Sequence, residues 1–223
     1  MRQTAWQAVQ HRICTAVLAA KRSLQSVQLL AVSKGQSPEA IRALWALGQC
    51  AFGESYVQEW QTKFATLSDC VGLEWHFIGN IQSNKTRFIA EHATWVHSVN
   101  SIRIAKRLSL QRPSQLAPLQ VCIEVNISDE SSKSGVLIAA LPELIEVMRA
   151  LPQLVLRGLM VIPDPYLTKE DARATFAATA ALAKTYQLDT LSMGMSADLE
   201  LAIAEGATWV RVGRALFSGE QDV

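Results

Sequence analysis

The chain has 223 residues, of which 49% are hydrophobic and 18% charged, and its formal net charge is +1. That length carries one domain with a substantial core, and the composition is that of a water-soluble globular protein. The near-neutral charge argues against a nucleic-acid binder, and no uninterrupted apolar run reaches the roughly 18 residues that a membrane-spanning helix needs.

Residues Met1–Ala20 interleave Arg2, Gln3, Gln7, Gln10, His11 and Arg12 with apolar positions. A signal peptide needs a continuous apolar centre, so this stretch reads instead as an extra amphipathic helix ahead of the repeating pattern. Val27–Ser33 then reads as a strand. Ser37 is placed as an N-cap with Pro38 at the first helical position, which predicts a helix over Pro38–Leu47 stopped by Gly48. Cys50–Gly53, Glu74–Ile78, Trp95–Val99 and Leu119–Ile127 follow as strands. Then come a helix at Leu141–Leu151, a strand at Leu154–Ile162 and a helix at Lys169–Tyr186. A strand at Thr190–Met193, a helix at Ala197–Glu205 capped by Gly206, and a strand at Thr208–Val212 complete the series.

Many of these strands are rich in Val, Ile and Leu without strict alternation, as expected of strands buried on both faces of a parallel sheet. Strands alternating with helices predict an α/β protein, and their number fits one (β/α)8 TIM barrel in a single domain, residues 1–223. An open doubly wound sheet is the alternative, weakened because no Gly-x-Gly-x-x-Gly follows the first strand. Cys14, Cys50, Cys70 and Cys122 form no Cys-x-x-Cys pair and share no zinc-like spacing with His11, His76, His92 or His97. They are expected to be buried or partly buried free thiols in a reducing cytoplasm.

In such a barrel the active site lies where the strands end, so the residues just past each strand are the candidates. Lys34 follows the apolar run Leu29–Val32 and is expected at the barrel mouth, partly desolvated. Desolvation would free its amine to attack an aldehyde; a solvated strand-end lysine is the plain reading. Ser196, read as the N-cap of the helix after the seventh strand, together with Gly213-Arg214 after the eighth, suits a phosphate. The plain reading is a helix cap and a turn glycine. Arg211, two residues before Gly213, faces the barrel centre in this scheme. There it either pairs with Glu124 or Glu54, or faces a pyridine nitrogen and keeps it unprotonated.

Several runs together resemble one family. They are Leu30-Ala31-Val32-Ser33-Lys34, Phe52-Gly53-Glu54, Tyr56-Val57-Gln58-Glu59, Trp75-His76-Phe77-Ile78-Gly79 and Gln82-Ser83-Asn84-Lys85. Further along are Val125-Asn126-Ile127, Lys133-Ser134-Gly135, Arg157-Gly158-Leu159-Met160, Leu191–Ser196 and Val210-Arg211-Val212-Gly213. In this order, from about Gln28 to Phe217, the chain resembles the pyridoxal phosphate homeostasis proteins (the YggS/PROSC-like family). The resemblance implies a fold-type III barrel like the N-terminal domain of alanine racemase. It implies pyridoxal 5′-phosphate (PLP) as a Schiff base on Lys34. Ser196 and the Gly213-Arg214 backbone would hold the phosphate, Arg211 would face the pyridine nitrogen, and Asn126 and Met160 would line the ring pocket. Members of the family are cytosolic PLP carriers or buffers, usually monomeric, with PLP-dependent apo-enzymes as possible acceptors.

Four positions depart from the common pattern: Ser55 stands in place of Asn, Arg214 of Thr, Gln36 of Lys, and the chain stops soon after Gly219 without a basic tail. These bear on affinity or release. Two other functions compete with carriage. An amino-acid racemase needs a second acid/base, for which Tyr56 near the rim is thin support, Tyr166 and Tyr186 being the other tyrosines. A sugar-phosphate aldolase or isomerase would use Lys34 for a substrate Schiff base and would be colourless. Lys133 is open between a solvated loop lysine and an outer station that takes PLP from Lys34.

Overall fold

The structure, a computed structural model, describes residues 2–128 and 134–217. Its strands are β1 (Gln28–Val32), β2 (Ala51–Glu54), β3 (Glu74–Phe77), β4 (Trp95–Val99), β5 (Leu119–Asn126), β6 (Val136–Leu137), β7 (Leu154–Met160), β8 (Thr190–Ser192) and β9 (Trp209–Val212). All pairings are parallel and run β1-β2-β3-β4-β5-β7-β8-β9, with β9 returning to β1. The sheet is therefore a closed eight-stranded barrel, not an open one. The two-residue β6 is a side branch on β5 that the sequence pattern did not predict.

The helices are α1 (Arg2–Ala19), α2 (Pro38–Trp45), α3 (Val57–Thr66), α4 (Thr86–His92), α5 (Ile102–Gln111), α6 (Leu141–Arg149), α7 (Lys169–Thr185), α8 (Leu199–Ala204) and α9 (Arg214–Phe217). Ser37 caps α2 as expected, accepting the Ala40 N–H at 3.2 Å, and Gly48 follows at φ +96°. Gly206 ends α8 at φ +104°. The strand pattern alone left α3, α4 and α5 unassigned. Each of them has a polar residue among its buried positions, Lys63 on α3, Thr86 on α4 and Ser109 on α5. On α1, Val9, Ile13, Ala16 and Val17 form the buried stripe, and Trp6 Nε1 donates to Gln49 Oε1 at 3.3 Å. Gln49 in turn donates to the carbonyls of Leu29 and Ala51, tying the start of the barrel to α1.

Alternation along each strand divides its side chains between two cores. On β5, Leu119, Val121, Ile123 and Val125 join the large core beneath the helices, leaving Cys122, Glu124 and Asn126 for the barrel interior. On β9, Val210 and Val212 face the helices and Trp209 and Arg211 face inward. The inner floor is apolar and aromatic, with Leu30, Ala51 and Trp209 packed with Ile78 and Trp95. Of the cysteines, Cys70 and Cys122 are buried and Cys14 half-buried. Cys50 is exposed, against expectation, because β2 begins only at Ala51 and Cys50 lies in the irregular segment before it.

Gly158 on β7 marks the tightest approach in the barrel wall: a Cβ there would lie 1.7 Å from the Thr190 carbonyl oxygen of the paired strand. Gly158→Ala must push β7 and β8 apart, and is expected to cost roughly 3 kcal/mol, the upper end of the overpacking range, read as a lowered urea midpoint. A midpoint equal to wild type would contradict this register.

Candidate functional site

The closed parallel barrel brings the ends of β1, β5, β7, β8 and β9 to one rim. β1 pairs with β9 in the register Leu30↔Arg211 and Ala31↔Val212, so the residues past these two strands are neighbours. Gly213 lies against Val32, since a Cβ on Gly213 would meet Val32 Cβ at 3.6 Å. Lys34 follows two residues later, in the turn Lys34–Gly35, where Gly35 has φ +73°. The side chain of Lys34 is exposed rather than partly desolvated as expected, because the strand ends at Val32 and the turn lifts the lysine clear of the wall.

Across the mouth, Asn126 ends β5 and Met160 ends β7, both buried; Met160 pairs with Ser192 of β8 and with Glu124. A cavity of about 270 Å³ opens beside Asn126, with Glu124, Val161, Ile162 and Asp164 in its wall. Burial pushes the Glu124 carboxyl up, opposed by the charge of Arg211. Ser196 is half-buried, and its role as a helix cap is corrected. The helix begins later, at Leu199, with Asp198 at the N-cap position. The reason is local: Asp198 Oδ1 accepts the Met195 N–H at 2.6 Å, which closes residues 195–198 into a turn before the helix can start. The Ser196 carbonyl accepts from Arg12 of α1 at 2.8 Å. Arg214 is exposed at the first position of α9. Lys133 lies outside the described residues.

Arg211 faces the interior as expected, but neither carboxylate considered for it, Glu124 or Glu54, is its hydrogen-bond partner. Its Nη1 donates to the Ser192 carbonyl at 2.6 Å and to Ser192 Oγ at 2.9 Å, and its Nη2 to the Val161 carbonyl at 2.9 Å. Burial brings its pKa down to about 10, countered by the charges of Asp198 and Glu124. Glu54 is engaged on the other face of the wall, by Lys63 at 2.7 Å and Ser33 Oγ at 2.6 Å.

Arg211 also anchors a polar chain through the barrel. Ser192 Oγ lies 2.7 Å from His97 Nδ1, and His97 Nε2 lies 3.0 Å from His76 Nδ1. At the far end His76 Nε2 faces Glu74 Oε2 at 3.7 Å, too long for a hydrogen bond but close enough for electrostatic attraction. A guanidinium can only donate, and the carboxylate at the other end attracts an N–H. Both ends therefore fix one polarity: Ser192 O–H donates to His97, and His97 Nε2–H donates to His76, whose own Nε2–H faces Glu74. The two rings pack among Trp95 and Trp209, with the His76 and Trp209 centroids 4.8 Å apart. Burial pushes both imidazoles below the usual histidine range, and Arg211 and His76 push His97 further down. Reading for chemistry at strand ends missed Ser192, His97 and His76. The signal for them was a polar residue at an inward parity within an otherwise apolar strand.

Residues 7–221 match the family model described as alanine racemase, N-terminal domain. The chain is 55% identical over 208 residues to the pyridoxal phosphate homeostasis protein of Pseudomonas aeruginosa, spanning 92% of this chain and 90% of that one. It is 49% identical over 216 residues to the protein of the same name from Escherichia coli K12, spanning 94% and 92%. Among solved structures, PipY of Synechococcus elongatus with PLP bound matches at TM-score 0.78 and 40% identity, over 92% of this chain and 99% of that one. Alanine racemase of Corynebacterium glutamicum, at 18% identity and TM-score 0.67, shares the fold over 97% of this chain and 61% of its own. The chain belongs to the pyridoxal phosphate homeostasis protein family.

The buried imidazoles give a pH dependence of defined sign. Each binds a proton less readily folded than unfolded, so as the pH falls below about 6.5 the unfolded chain takes up more protons and stability drops. The buried carboxyls Glu54, Glu124 and Asp198, raised by desolvation, act in the opposite sense. The pair His76→Gln and His97→Gln together should therefore lose less stability than wild type between about pH 7 and pH 5, compared by urea unfolding. Equal losses would mean the imidazoles are not held neutral.

Proposed function

We propose that this chain is a PLP carrier that holds the cofactor covalently through Lys34 and passes it on, without robust catalysis of its own. The observation that supports this most directly is the juxtaposition of the Lys34 turn with the Gly213 turn at the β1–β9 seam. One offers an amine for an aldehyde and the other a close backbone approach for a phosphate. The residues around them fit the group. The turns after β8 and β9 carry Gly194, at φ +91°, and Gly213, with Ser196 and the Arg214 backbone as further phosphate contacts. Asn126 and Met160 supply ring-pocket walls. PipY, whose solved structure has PLP bound, is a relative matched over most of both chains.

Bound PLP supplies an electron sink whose strength depends on protonation of its ring nitrogen. Arg211, held by neutral acceptors and carrying a permanent charge, would leave that nitrogen unprotonated and the sink weak. The curated relatives are named as homeostasis proteins rather than as enzymes. Tyr56 and Tyr166 are both highly exposed, so neither is fixed as the second acid/base that a racemase requires. Among the described residues no helix is long and apolar enough to cross a membrane. In this reading the protein works as a cytoplasmic monomer of one domain, with PLP-dependent apo-enzymes as acceptors.

Freshly purified protein should be yellow and lose that colour on borohydride reduction, with mass spectrometry finding the adduct on Lys34. Lys34→Ala should lose the visible band. An adduct on another lysine would overturn the assignment. Loaded protein should restore activity to a PLP-dependent apo-enzyme in a transfer assay. Incubated with L-alanine or L-serine, it should leave optical rotation unchanged on the seconds-to-minutes scale of ordinary enzymes, turning over at well under about 1 per second.

A further inference from the structure

Behind the site, on the helix-facing side of the β1–β2 wall, lies a second buried charged cluster that PLP binding does not account for. Lys63 of α3 is buried, its side chain 4% exposed, and it donates to Glu54, itself fully buried, at 2.7 Å. It also contacts Glu59, one helical turn away on α3. A well-packed apolar group commonly serves stability as well as a buried ion pair does, so the retained charges call for a second role.

Their remaining hydrogen bonds supply one. Lys63 Nζ donates to the Ser33 carbonyl at 2.6 Å, and Ser33 Oγ donates to Glu54 Oε1 at 2.6 Å. The Gly35 N–H donates to Glu59 Oε1 at 2.6 Å. Ser33 and Gly35 are the two residues that flank Lys34. The lysine side chain stands in the open, while the backbone on either side of it is tied into the cluster. We propose that Lys63, Glu54 and Glu59 are positioning residues for the Lys34 amine: they hold the turn so that Nζ is presented to an aldehyde at the barrel mouth. This rests on the assignment of Lys34 as the PLP attachment site.

The reaction they serve would form a C=N double bond between Lys34 Nζ, as the neutral amine, and the aldehyde carbon, breaking the C=O bond, whose oxygen leaves as water with the two amine protons. A displaced amine would slow this step without touching the phosphate and ring contacts. Glu59 is the residue to test, since its side chain is 30% exposed and its loss leaves the Lys63–Glu54 pair in place. Glu59→Ala removes the acceptor for the Gly35 N–H; Glu59→Gln keeps one. The probes are PLP and pyridoxine 5′-phosphate, which has an alcohol in place of the aldehyde and cannot bond to an amine. Glu59→Ala should capture PLP about tenfold more slowly in stopped-flow absorbance, within the loss that a displaced reacting group produces. It should bind pyridoxine 5′-phosphate as tightly as wild type, and Glu59→Gln should stay close to wild type with both.

Capture by Glu59→Ala at the wild-type rate would overturn the proposal. So would an equal loss of both ligands, which would mean general damage to the pocket, and so would failure of Glu59→Gln to rescue. If borohydride instead tags another lysine in the wild type, it is the attachment site that falls, and the variants are not needed to see it.

Discussion

The pairing of β1 with β9 is the contact on which the rest of the molecule depends. It closes the barrel between the first and last strands, and it sets Leu30 beside Arg211 and Ala31 beside Val212. A parallel barrel gathers the carboxyl ends of its strands on one rim, so residues nearly the whole chain apart become neighbours there. A slip of two residues at this seam would keep every side chain on its proper face yet move Lys34 about 7 Å along Gly213. The shape of Leu30 against Gly53 and Ile78 acts against such a slip.

Two buried polar systems flank that seam, on opposite faces of the wall. Inside, Arg211, Ser192, His97 and His76 form a chain with one donor direction, floored by Trp95 and Trp209. Outside, Lys63 and Glu54 are packed beneath α3 and reach Ser33. A buried charge that lacks partners is expensive, and these two cations are instead surrounded by acceptors. The interior cation meets only neutral acceptors in hydrogen-bond contact among the described residues, so its charge stays available to whatever sits above it. The exterior cation meets carboxylates and is spent on holding backbone. In the proposed reading the guanidinium acts on a ligand and the ammonium on the chain.

This division suits a protein that holds a reactive aldehyde without exploiting it. In the proposed reading, capture needs an accurately placed amine and a phosphate cradle, while turnover would need a protonated ring nitrogen and a fixed second base. In that reading the rim supplies the first pair; the interior arginine would work against the protonated nitrogen, and Tyr56, the rim tyrosine considered for the base, stands in solvent. A barrel shared with alanine racemase at 18% identity can therefore carry a different task, because the task resides in the rim residues and the group beneath them.

The alternation of apolar runs and helical stretches was enough to place eight parallel wall strands, since burial on both faces leaves a mark in every strand; that they close into a barrel rather than an open sheet was decided by the pairing of β1 with β9. Strand ends are also local, so Lys34, Asn126, Met160, Arg211 and Gly213 could be named from position and from motifs in order. Chain position alone misplaced the helix start near Ser196, because the Asp198 carboxylate competes for the Met195 N–H, a bond that forms only in the folded turn. It also could not supply partners. Whether Arg211 meets Glu124, Glu54 or Ser192 depends on which strands face each other across the interior, and Lys63 reaches Ser33 only because α3 packs back over β1 and β2. Local pattern records which face of an element is buried; what a buried polar group touches is decided by elements distant in the chain, and only their packing brings them together.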